Sequence, residues 1–164
     1  MSDPVRQLCE QHNQLRRLFK QVPRLGSLEV AQQRAYSICD LITIHSRLEQ
    51  EIIYPVVKDL VPSIAEEAER AHQRADRLIG RINDREYRVY PEVLGDISAL
   101  EHVVLPHARW EEDNALTLLR ELSNELFEML GSALYVRHQE LLYEYPDATG
   151  TTAGTEGYSA GPLI

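Results

Sequence analysis

What this chain lacks narrows it first. It has only two cysteines, Cys9 and Cys39, and no Cys-x-x-Cys pair. That leaves no basis for a disulfide framework or for a thiolate zinc or iron–sulfur site. Both thiols read as small buried or half-buried residues of a reducing compartment. No stretch approaches 18 consecutive apolar residues, and the opening Met-Ser-Asp-Pro-Val-Arg-Gln has no apolar core of a signal peptide. The expectation is therefore a cytoplasmic, unanchored and unprocessed protein. Basic residues are in the minority, 17 against 26 acidic, for a formal net charge of −9. That balance argues against nucleic acid or an anionic membrane surface as the main partner. Strand-type alternation is missing as well.

What is present is helical periodicity. A length of 164 residues suits one domain with a real core. Ser2 or Asp3 caps a first helix with Pro4 in its first turn and a stripe of Val5, Leu8, His12, Leu15 and Phe19. It ends near Val22-Pro23, with Gly26 in the turn. A second helix from Ser27 or Leu28 turns Ile38, Leu41, Ile42, His45, Leu48, Glu49 and Ile52 inward, and Pro55 is expected to kink or break it. Pro62 closes that segment and Ser63 can cap a third helix, with Ile64, Ala68, His72, Ala75, Ile79 and Ile82. A fourth carries Val93, Ile97, Leu100, Val104, His107, Glu111, Ala115 and Leu118, with a kink expected at Pro106. A fifth amphipathic segment reads Leu122, Leu126, Met129, Ala133 and Val136. The fold class is thus all-α: an up-down-up-down four-helix bundle with an additional C-terminal helix. Residues 1–145 form the bundle, with the ligand-bearing part at about 1–120, and 146–164 form a flexible tail. The fifth helix or the tail is the place for a protein partner.

Polar residues stand in these apolar stripes. His45 and Glu49, and His107 and Glu111, are both spaced His-x-x-x-Glu. On a helix that spacing puts imidazole and carboxylate about 40° apart, able to reach one point. His12 and His72 add an imidazole from each of two further helices. Burying so many ionisable groups without compensation costs several kcal/mol each, which a metal pair removes. Imidazole with carboxylate and no thiolate suits iron, manganese or zinc. Two carboxylates from opposed helices can bridge ions about 3.5–4 Å apart, leaving positions open for a small ligand. His102 and His138 fall off these stripes and read as surface residues, while Trp110, Leu48 and Ile52 read as packing around the site.

The order His…His-x-x-x-Glu…His…His-x-x-x-Glu over residues 1–120 resembles the hemerythrin-like, or HHE cation-binding, domain. The resemblance implies two iron ions with an oxo or hydroxo bridge. His12, His45, His72 and His107 would be terminal ligands, and Glu49 and Glu111 bridging ones. The chain departs from the oxygen carriers of that family, which have a second histidine on the third helix. Ala68 stands there, with Glu69 beside it. The carriers also place a carboxylate five residues after the fourth-helix histidine, where this chain is read with Glu111 at four.

Tyr54 and Glu69 are the candidates for the gap. On a straight helix Tyr54 lies about 140° from Glu49, but the disturbance at Pro55 could swing it inward. It then either ligates iron, faces the pocket or packs at the bundle end. A phenolate favours ferric iron. Glu69 is a ligand, a partner orienting a histidine, or a solvated side chain. With the carrier histidine gone, the resemblance implies a centre that disproportionates hydrogen peroxide as a catalase does. The alternatives are oxygen or nitric oxide binding or sensing and, last, iron binding or storage.

Overall fold

Asp3 opens the first helix: its carboxylate accepts from the backbone N–H of Arg6, and Pro4 occupies the first helical position, where no donor is needed. The computed structural model describes residues 3–149, and everything in them that is regular is helical. Helix α1 runs Pro4–Gln21 and closes in a 3₁₀ turn, Val22–Arg24, before Gly26 takes a left-handed φ of 71°. Ser27 caps α2, Leu28–Leu48, by accepting from the backbone N–H of Val30.

The chain does not break at Pro55. Residues Glu49–Ile53 form one π-helical turn, and α3, Tyr54–Leu60, follows at once with Pro55 in its first turn. The wider turn absorbs the proline, whose missing N–H and bulky ring a regular α-helix would not accept there. It also changes the phase, so that Ile53 is buried while Ile52 is only half-buried.

Helix α4, Pro62–Asp84, begins on the proline itself, with Val61 before it. Helix α5, Tyr90–Asp113, is continuous through Pro106. It stops at Asn114, whose side-chain amide donates to the carbonyl of Trp110. A short α6, Ala115–Leu119, buries Ala115, Leu116 and Leu119. Helix α7, Asn124–Glu144, restarts under a Ser123 cap. That restart sets a new phase and corrects the fifth stripe read from sequence. Leu130, Leu134 and Leu141 are buried, whereas Met129, Ala133 and Val136 face solvent. The first residues of the tail expected over 146–164, Pro146–Thr149, form a 3₁₀ turn that packs on α2 with Ala148 buried, and the rest of that tail lies outside the described residues.

Helices α1, α2, α4 and α5 close a ring in which each touches its neighbours, and α7 lies along α1 and α2. Two apolar clusters fill this helical bundle. One joins Leu15, Phe19, Ile38, Ile42, Ala75, Ile79, Ile97, Leu100 and Val104. The other joins Leu8, Leu48, Ile53, Val57, Ala68, Leu116 and Leu134. On α1, α2 and α4 the chain passes from one cluster to the other through a buried polar residue, and from α5 it does so on entering α6. His12 lies between Leu8 and Leu15, His45 between Ile42 and Leu48, His72 between Ala68 and Ala75, and Glu111 between Val104 and Ala115. No helix among the described residues is long and apolar enough to cross a membrane.

Candidate metal centre

Between the two clusters lies a polar layer. All six residues expected at the centre meet there: His12, His45, Glu49, His72, His107 and Glu111. They form two donor sets that share both carboxylates, one with His12 and His45 and one with His72 and His107. Within each set the ligand atoms lie within 4.8 Å of one another. The imidazoles present Nε2 to the middle. His12 Nε2 is 3.0 Å from His45 Nε2 and 3.5 Å from Glu111 Oε2. Glu49 Oε2 is 3.3 Å from His45 Nε2 and 3.2 Å from His72 Nε2, and His107 Nε2 is 3.4 Å from Glu111 Oε1.

Tyr54 completes the layer. The π-turn bonds its backbone N–H to the carbonyl of Glu49, an i→i+5 closure that stacks the two side chains on one face. The regular-helix geometry that faced Tyr54 away does not apply. Its hydroxyl is 3.2 Å from Glu49 Oε2 and 3.0 Å from His72 Nε2, and it donates to Glu111 in a very short contact. One phenolic proton cannot serve three such neighbours. Glu69, by contrast, is exposed and belongs to neither donor set. His102 is exposed and His138 half-buried; Leu48 is buried and Trp110 half-buried, its indole stacked on His107 at 6.0 Å.

Among the described residues Glu49 Oε1, His107 Nε2 and Glu111 Oε2 are buried without a hydrogen-bond partner. Leaving such atoms bare costs about 1–3 kcal/mol each, more when charged. The layer is also electrostatically divided. Burial, then the charge of Glu111, pushes the Glu49 carboxyl well above its ordinary range. Burial acts the same way on Glu111, but the facing imidazoles of His107 and His12 win and hold it well below. Burial, then the charge of His12, keeps His45 well below the usual imidazole value, and burial lowers His72. Burial works against the charge on His12, yet the facing Glu111 carboxylate and the nearby Glu49 raise it overall. Burial followed by both carboxylates pushes the Tyr54 phenol far up. Imidazole nitrogens, carboxylate oxygens and a crowded phenol, several lacking partners, make a donor set that fits metal cations.

Three supports escaped the sequence reading. Glu112 Oε1 accepts at 2.9 Å from His12 Nδ1, Gln11 Oε1 lies 2.8 Å from His45 Nδ1, and the Gln50 amide lies 3.4 Å from His72 Nδ1. Glu112 stands five residues after His107, the carrier spacing, yet points to the back of His12 while Glu111 points into the centre. Each of these three residues lies beside or one turn from a ligand-type residue, but polar neighbours of that kind are common on solvated faces. Only the fold shows which are in contact.

The family model for the hemerythrin HHE cation binding domain matches residues 3–130. The match runs past α6 into the first turns of α7. The chain therefore belongs to the hemerythrin HHE cation-binding family, and its His/Glu clusters fit the metal site that family carries. No curated protein and no solved structure matched the chain.

Proposed function

We propose that the chain is a non-haem di-iron protein that disproportionates hydrogen peroxide. His12 and His45 would hold one ion and His72 and His107 the other, with Glu49 and Glu111 shared and Tyr54 a further ligand. When bound, a ferric pair supplies two-electron redox chemistry, by which two molecules of hydrogen peroxide give two of water and one of dioxygen. The observation that carries this reading is Tyr54, set between both carboxylates and His72. A buried phenol among donors is a hard anionic ligand once deprotonated and favours the ferric state over reversible oxygen carriage.

The remaining side chains suit a small substrate. The layer is closest to solvent at His107, which is 11% exposed and lines a surface cleft with Ala71, Arg74, Val103 and Trp110. The apolar clusters on either side keep bulk water out. Oxygen evolution after peroxide is added to iron-loaded protein tests the reading; no turnover at full iron content overturns it.

One observation favours a second reading, oxygen or nitric oxide sensing. Met129, Val136 and Tyr143 form an exposed apolar stripe on α7, whose other face packs on the helix that carries His12. A protein partner on that stripe would feel changes at the centre. A stable, reversible adduct of the reduced protein with oxygen or nitric oxide, read in the visible spectrum, would favour it over turnover.

A further inference from the structure

The four imidazoles differ at the nitrogen that faces away from the centre. His12 Nδ1 is held by a carboxylate, Glu112 Oε1, at 2.9 Å. His45 Nδ1 meets the side-chain amide of Gln11, and His72 Nδ1 meets that of Gln50 at the longer distance of 3.4 Å. The ring of His107 rests on the Trp110 indole. Glu112 is itself fixed: Arg16 Nη2 donates to its second oxygen at 2.9 Å, and Arg16 Nη1 donates to Asn13 Oδ1 at 3.0 Å. Arg16 and His12 are one turn apart on α1, so the guanidinium and the imidazole take the two oxygens of one carboxylate reaching across from α5.

We propose that Glu112 and Arg16 are a positioning pair for His12 and make the His12/His45 half of the centre the tighter of two unequal metal sites. A carboxylate on Nδ1 fixes the ring's orientation and tautomer with Nε2 free for a cation. It also makes that nitrogen a stronger donor than an amide partner does. Arg16 keeps the carboxylate from turning to solvent, since Glu112 is partly exposed and Arg16 holds the oxygen that His12 does not. The opposite half has no such carboxylate: His72 Nδ1 meets an amide at 3.4 Å, the His107 ring is stacked face-on against the Trp110 indole, and the anionic donor would be Tyr54.

This inference rests on the reading that His12 binds metal, and the experiment separates the two. Wild type, Glu112→Gln and Arg16→Gln are loaded with ferrous iron without oxygen, reoxidised and desalted. Iron per chain and the visible tyrosinate band are then measured, with circular dichroism as the check on folding. Wild type should keep two irons. Glu112→Gln should bind the His12/His45 iron about 10–100-fold more weakly and retain one iron, with the tyrosinate band of the other half still present. Arg16→Gln should move the same way by a smaller factor. It alters a side chain that is 34% exposed, so it remains informative if Glu112→Gln folds poorly. Two irons held with wild-type affinity in both variants overturn the positioning role alone. Equal loss of both irons and of the band also overturns it, because the pair would then support the whole site rather than one half. A wild type that binds no iron overturns the metal reading and this inference together.

Discussion

Tyr54 is the residue on which most depends. Its phenol, pushed far up by burial and by both carboxylates, carries its proton in the metal-free chain. Iron-loaded protein should show a phenolate-to-ferric charge-transfer band in the visible. Tyr54→Phe should abolish it while leaving helix content unchanged, and a band that survives the substitution rules the ligand role out. The sequence placed Tyr54 near the site without deciding its direction. Periodicity assumes 3.6 residues per turn, and no propensity marks where a turn will widen. The six His/Glu residues were legible because polar side chains in apolar stripes are costly unless something compensates them. Glu112, Gln11 and Gln50 were not, because a polar residue beside a ligand gives no such signal. The cysteines supply an independent residue-scale test. Burial, then the charge of Asp40, pushes the Cys39 thiol up to about 12, so at pH 8 only about one part in ten thousand is thiolate. Cys9, half-buried, should be the only thiol labelled by a disulfide reagent in the native protein, with Cys39 reacting after unfolding. Equal labelling rates for both would contradict that burial.

At the scale of elements, phase decides which readings held. Helices α1, α4 and α5 keep one register, and most of their inward residues are those the periodicity names. On α4 Ala65 and Ala71 are buried while Ile64 is half-buried. On α5 Asp96 and Ala108 are buried while His107 is half-buried, and the helix stops short of Ala115 and Leu118. Two elements re-phase. The π-turn does so within the α2–α3 segment, and the break from Asn114 to Ser123 does so before α7. Helix α7 is apolar on more than one side, so periodicity alone chose the wrong face. Leu134 is 1% exposed and Val136, two residues on, 57% exposed. Leu134→Ala should cost about 2–5 kcal/mol in denaturant unfolding through lost burial and the cavity left behind. Val136→Ala should stay within about 0.5 kcal/mol. Similar costs for the two would restore the face read from sequence. The large cost at Leu134 would also show that α7 shares the core of the ring helices rather than covering it from outside.

At the scale of the molecule, the polar layer separates two apolar clusters, and each ring helix contributes to both. A cation in either half of that layer ties three of the ring helices, the two halves together tie all four, and either cation stabilises only the folded chain. At a free concentration about a thousandfold above its Kd, one such site adds about 4 kcal/mol. For a chain of this size that raises Tm by about 8–16 °C. The sign of the pH dependence follows from the donors. Burial, with the neighbouring charges, makes Glu49 and Tyr54 hold their protons more tightly than the free groups. The facing Glu111 carboxylate does the same for His12 against its burial. A metal must displace those protons, so binding weakens as pH falls. His45 and His72, kept low by burial, have no proton to lose near neutrality and do not reverse the trend there. The gap in Tm between iron-loaded and chelator-treated protein should therefore be largest near pH 8 and narrow steadily toward pH 6. Scanning calorimetry of both forms across that range measures it. A gap that stays constant would mean that the six residues take up metal without releasing protons, and the protonation assigned here to Glu49 and Tyr54 would be wrong.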